Sequence, residues 1–110
     1  VSGLFEKREK SFEAKWAHDE ELRFRIYARR NKLLGLWAAA EMGIIGPAAD
    51  SYAKEVVASD FERAGGEEVL EKVRRDFDAR GVAISDHLIG RKMEELLEAA
   101  KRQVEAEIAK

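Results

Sequence analysis

Glycine and proline divide the second five-sixths of this 110-residue chain into stretches that each carry an apolar stripe of helical period. Runs rich in β-branched residues are absent, there is no Thr, and Ala, Glu, Lys, Arg and Leu dominate, all good helix formers. The first stretch runs from about Asp19 to Met42, with Ile26, Leu33, Trp37 and Ala40 along one face and Tyr27 and Leu34 beside them. Gly43 suits its C′ position, where a left-handed backbone is needed. GIIGP turns the chain, and Pro47 fits the first position of the next helix, where its missing N–H has no intrahelical partner. That helix carries Ala49, Tyr52, Ala53, Val56, Val57, Phe61 and Ala64, and Gly65-Gly66 stops it. Glu67 to Arg80 follows, with Val69, Leu70, Val73 and Phe77 on its apolar side and acids at its start, as the helix dipole favours. Ser85 is a good N-cap for the last helix. Ile84 and Ile89 can staple its start, and Met93, Leu96, Leu97, Ala100, Val104 and Ile108 continue its stripe. The expected fold is all-α, a four-helix bundle over residues 19–110. Gly35 and Gly90 fall inside helices, where each costs about 1 kcal/mol relative to Ala. Close approach of another backbone is the expected compensation.

Residues 1–18 fit that bundle poorly. Phe5, Phe12 and Trp16 fall within roughly 40° of one another on a helical wheel. The next positions on their stripe are Asp19, Glu20 and Arg23, so the apolar seam is charged until Ile26 and Tyr27 resume it. Two readings stand open. In one, this is an arm, disordered or folded on binding, whose aromatic face anchors in a partner's groove. In the other, Phe12 and Trp16 cover one end of the bundle. A membrane-surface helix fits less well, because the arm carries nearly as many acids as bases.

Chemistry by side chains is sparse. His18 and His87 lack metal-ligand spacing to a second His or a Cys, and there is no Cys at all. No triad or phosphate-cradling loop is present, so neither enzymatic activity nor a required cofactor is expected. No signal peptide or bilayer-length apolar run is visible. The charge, net −2, is unevenly placed: Leu22 to Ala40 holds Arg23, Arg25, Arg29, Arg30 and Lys32 without an acid, and Glu41 to Arg80 holds ten acids and six bases. Arg25, Arg29 and Lys32 repel one another at helical spacing. They are neutralised by the acidic second and third helices, by a bound phosphate or nucleotide at Arg25, Arg29, Arg30 and Lys32, or by nucleic acid. A pI near 5.8 argues against the last.

FEAKWAHDEELRFR, ARRNKLLGLWAA, YAKEVVASDFE and VRRDFD together resemble the zeta-type inhibitory subunits of bacterial ATP synthases over nearly the whole chain. One departure is Trp16, where the family pattern suggests Phe; the aromatic anchor is preserved. The resemblance implies a four-helix bundle with an N-terminal inhibitory arm. That arm inserts at a catalytic interface in the ATP synthase head and blocks rotation in the hydrolytic direction, largely sparing synthesis. Carried onto this chain, residues 1–18 are the arm, Phe5, Phe12 and Trp16 its anchors, and Lys7, Arg8, Glu9, Lys10 and Lys15 its polar rim. LFEKREKSFE also resembles, over a short span, the inhibitory region of the mitochondrial ATPase inhibitor. The implied partners are the catalytic α and β subunits and the central stalk, and the implied location is cytoplasmic, peripheral to the membrane. The free protein is expected to be monomeric. The family is further linked to weak ADP or ATP binding, and Arg25 to Lys32 is the contact that charge suggests. Two alternatives are a helical ADP- or ATP-binding regulatory module without arm-mediated inhibition, and a structural adaptor that leaves turnover unchanged.

Overall fold

The computed structural model describes the backbone of residues 3–60 and 66–109, and side chains within those ranges from Ser11 onward. The described residues form five helices and no strand: α1 Gly3–His18, α2 Glu20–Glu41, α3 Pro47–Ala58, α4 Glu67–Ala79 and α5 Asp86–Ile108. The all-α expectation holds, and the N-terminal segment is itself a helix, the fifth among the described residues.

Local chemistry fixes most of the boundaries. Asp19 takes an extended backbone, φ −100° and ψ 110°, and its carboxylate accepts the Leu22 N–H at 3.1 Å, capping α2. Its own N–H still donates to the Lys15 carbonyl, so a single residue separates α1 from α2. The charged gap in the apolar seam is therefore a helix boundary. Gly43 has φ +75° just after α2, and Pro47 opens α3. Ser85 caps α5 through the Leu88 N–H at 3.2 Å, and Ile84 and Ile89 both pack into the main core. The end of α3 differs from expectation. It stops at Ala58, where the Ser59 hydroxyl donates to the Val56 carbonyl at 2.6 Å, a local bond that competes with helix continuation. Phe61 and Ala64, read as part of that helix, lie outside the described residues.

α2 is the hub: it packs against all four other helices. Its buried set is therefore wider than one stripe: Leu22, Ile26, Arg30, Asn31, Leu34, Gly35, Ala38 and Ala39. Ala40, expected on the apolar face, is exposed, and Leu33 and Trp37 are half-buried. The main core joins Leu34, Ala38 and Ala39 to Tyr52, Val56, Val69, Val73, Phe77, Ile89 and Met93, with the Trp37 ring edge-on to Phe77 at 5.7 Å. Burial raises the Tyr52 phenol pKa, and its 2.7 Å hydrogen bond to the Asp76 carboxylate raises it further. A second, smaller core holds Phe12, Leu22, Ile26, Ala100 and Val104.

The two mid-helix glycines have different causes. A Cβ on Gly35 would stand 2.6 Å from the Ala53 Cα, so α2 and α3 touch backbone to backbone there. A Cβ on Gly90 would meet nothing within 4 Å, and no packing requirement explains that glycine. Gly90→Ala is therefore expected to raise stability by about 0.5–1 kcal/mol through helix propensity, read as a higher urea midpoint with an unchanged m-value.

Candidate partner-binding helix and its docking surface

α1 lies against α2 and α5 through its Phe12–Trp16 edge. Phe12 is buried among Leu22 and Ile26 of α2 and Ala100 and Val104 of α5, with Trp16, Leu33 and Leu97 around them. The Trp16 ring meets Tyr27 edge-on, centroids 6.1 Å apart, and the Lys101 ammonium sits 4.6 Å from the Trp16 ring centre. Trp16 Nε1 donates to Glu13 at 3.1 Å, and Lys101 is 3.7 Å from the same carboxylate. Such exposed charge contacts contribute up to about 1 kcal/mol each, so apolar burial at Phe12 carries most of the docking. Of the two readings of the aromatic stripe, the one present in this structure covers the end of the bundle. Ser11, Glu13, Ala14, Lys15, Ala17 and His18 are exposed, leaving the opposite side of the helix to solvent. Phe5 and the rim residues Lys7, Arg8, Glu9 and Lys10 lie outside the described side chains.

The basic group of α2 divides into three environments. Arg29 reaches Glu107 of α5 at 2.7 Å and donates to Gln103 at 2.9 Å, while Arg25 reaches the same Glu107 at 3.3 Å. The Arg29 hydrogen bond holds the Glu107 carboxyl below its ordinary range, with Arg25 adding to the effect. Lys32 is exposed. Arg30 is buried, its Nε donating to the Asn31 side chain at 3.0 Å, and Asn31 Nδ2 donates in turn to Asp60 at 2.9 Å. Burial lowers the Arg30 pKa, opposed by the nearby Asp60 carboxylate. The Arg30 guanidinium also stacks 5.0 Å from the Tyr27 ring centre.

Of the four residues read as an anion contact, Arg25 and Arg29 share Glu107, Lys32 is exposed and Arg30 is buried beside Asn31. Arg25 and Arg29 are neutralised by α5 rather than by the acidic second and third helices, because the last turns of α5 run beside the first half of α2. Nothing local in the sequence marks Glu107 and Gln103, more than seventy positions from Arg25 and Arg29, or Asp60, 29 positions from Asn31, as partners. The position of Arg30 was readable: it shares a helical face with Leu34 and Trp37, so a buried guanidinium was implied.

His18 and His87 are both exposed, and the described residues hold no group of three or more His, Cys, Asp or Glu placed to bind a metal. No described helix is long and apolar enough to cross a membrane.

The described residues form a small all-helical protein whose N-terminal helix is set off by one residue and packs on the other helices through Phe12. The sequence pattern of the ATPase inhibitor subunit zeta family matches residues 2–103, and the chain belongs to that family. It is also similar to a protein whose structure was solved by solution NMR, at 43% identity over 78% of this chain and 98% of that one, with a TM-score of 0.69. No curated protein matches the sequence significantly.

Proposed function

We propose that this protein restrains ATP hydrolysis by the rotary ATP synthase by inserting α1 at a catalytic interface of the head, where it blocks rotation in the hydrolytic direction. Membership of the inhibitor-subunit family supports the regulatory role. The observation that carries the arm mechanism is the attachment of α1: one extended residue, Asp19, joins it to α2, and Phe12 is the one buried side chain among its described residues. A helix held this way can leave its bundle without disturbing the main core, to which it contributes no described side chain. Free helices of this length are marginal in water, so α1 needs an apolar surface, its own bundle or a partner's. Phe5, Phe12 and Trp16 are the proposed anchors, and Lys7, Arg8, Glu9, Lys10 and Lys15 the surrounding polar contacts. The arm is residues 1–18, and the rest of the chain is its carrier.

The test is ATP hydrolysis by the cognate catalytic head, titrated with the full chain and with a chain beginning at His18. Inhibition by the full chain alone, with the short chain helical by circular dichroism, is the expected result. Equal inhibition by both, or by neither, overturns the arm mechanism.

A further inference from the structure

The described anchors of α1 are already occupied within the chain. Phe12 is 8% exposed, packed on Leu22 and Ile26 of α2 and Ala100 and Val104 of α5. Trp16 is half-buried, its ring edge-on to Tyr27 and 4.6 Å from the Lys101 ammonium. The face that would enter a partner's groove is therefore turned onto the chain's own bundle. One side chain cannot be buried in two apolar surfaces at once. The bundle side of this contact is made by residues other than the anchors, and Lys101 is its polar member. Its ammonium meets α1 twice, over the Trp16 ring and 3.7 Å from the Glu13 carboxylate. Glu98, one turn earlier on α5 and 2.9 Å from the same ammonium, helps to hold it there.

We infer that docked α1 is a latent, autoinhibited state of this protein, and that Lys101 is the latch that helps to keep it closed. The inference rests on the inhibitory reading of α1 and adds its regulation. Opening leaves the main core untouched, since α1 gives that core no described side chain and Asp19 alone links it to α2. A partner that engages only the open form binds with an affinity reduced by the open fraction. Loosening the bundle side of the contact therefore strengthens inhibition, the reverse of what loss of a binding residue does. Lys101 has a modest share: an exposed ion pair or a cation over an exposed ring each changes such a population by up to about fivefold.

Two full-length variants test it against the cognate catalytic head. Glu13→Cys with Lys101→Cys puts one thiol on each side of the contact, in a chain that has no cysteine of its own. Bridged by a short bis-maleimide, this variant should inhibit hydrolysis at least about tenfold less well than the same variant capped with N-ethylmaleimide. Lys101→Glu sets a carboxylate against Glu13 and should inhibit at a concentration at least about threefold below that of the parent. Its amide exchange should be faster over residues 11–18 and unchanged at Val73 and Phe77 in the main core. Equal inhibition by the bridged and capped forms overturns the latent state and leaves α1 as the inhibitor. So does a Lys101→Glu chain whose α1 exchanges faster but which inhibits no better than the parent. Failure of the parent chain itself to inhibit overturns the inhibitory reading, and this inference with it.

Discussion

Gly35→Val is expected to destabilise the fold strongly while Gly35→Ala does so less. The Cβ of any residue at 35 would stand 2.6 Å from the Ala53 Cα and 3.1 Å from its Cβ. Both are part of a helix or its first side-chain atom, so neither can swing aside. Relief requires α2 and α3 to separate, and α2 is the helix on which every other helix packs. Overpacking in a rigid core costs about 1–3 kcal/mol, and more where the clash is with backbone. Small domains of this size are only marginally stable, at about 5–15 kcal/mol. The expected loss is about 3 kcal/mol or more, seen as a fall in the chemical denaturation midpoint. Gly35→Ala should show a smaller loss of the same sign. A valine variant as stable as the parent would mean that the two helices do not touch at this point.

Phe12→Ala releases α1 and leaves the bundle intact. Removing a buried phenyl ring typically costs about 3–5 kcal/mol. The helix it belongs to has few other apolar contacts among the described residues and would be marginal alone. The loss therefore falls on α1 docking rather than on global stability. Trp16 should become wet, with its emission shifted to longer wavelength, while Trp37, against Phe77 in the main core, should not change. Amide exchange should accelerate over residues 3–18 and stay slow in α2 and α5 near Leu34 and Ile89. In the hydrolysis assay the same variant should inhibit weakly, because the proposed function uses Phe12 a second time as an anchor on the partner. Retained Trp16 burial and slow exchange in the variant would show that α1 is held by something other than Phe12.

The places where the sequence was legible share a physical character. Asp19, Gly43, Pro47 and Ser85 act within three or four residues of themselves, through a cap, a left-handed turn or a fixed φ, as does Gly81, whose φ of +70° follows the end of α4. Four helix starts and three ends could therefore be placed to within a residue or so. The stripe on α5 was readable because one side of that helix faces the core and the other faces water. The face of α2 was read less well, since a helix surrounded by four others hides its polarity. Arg30 and Asn31 were the available clue, polar residues at positions that periodicity sends inward. The α3 end was misjudged because Val56, Val57, Phe61 and Ala64 continue an apolar pattern past the hydroxyl of Ser59 that closes the helix.

By itself, then, the sequence determined five-sixths of the chain as helices with mostly chemically marked ends. It also marked an aromatic N-terminal stripe that breaks at His18 and a composition that excludes strands and disulfides. These follow from local propensity and periodicity, which a chain carries before it folds. Only the tertiary structure decided what each face meets: Phe12 in a pocket of α2 and α5, Arg25 and Arg29 on Glu107, Gly35 against Ala53, and Arg30 beside Asn31 and the start of α4. Those pairings depend on which distant surfaces the connections bring together, and a linear pattern holds no record of that choice.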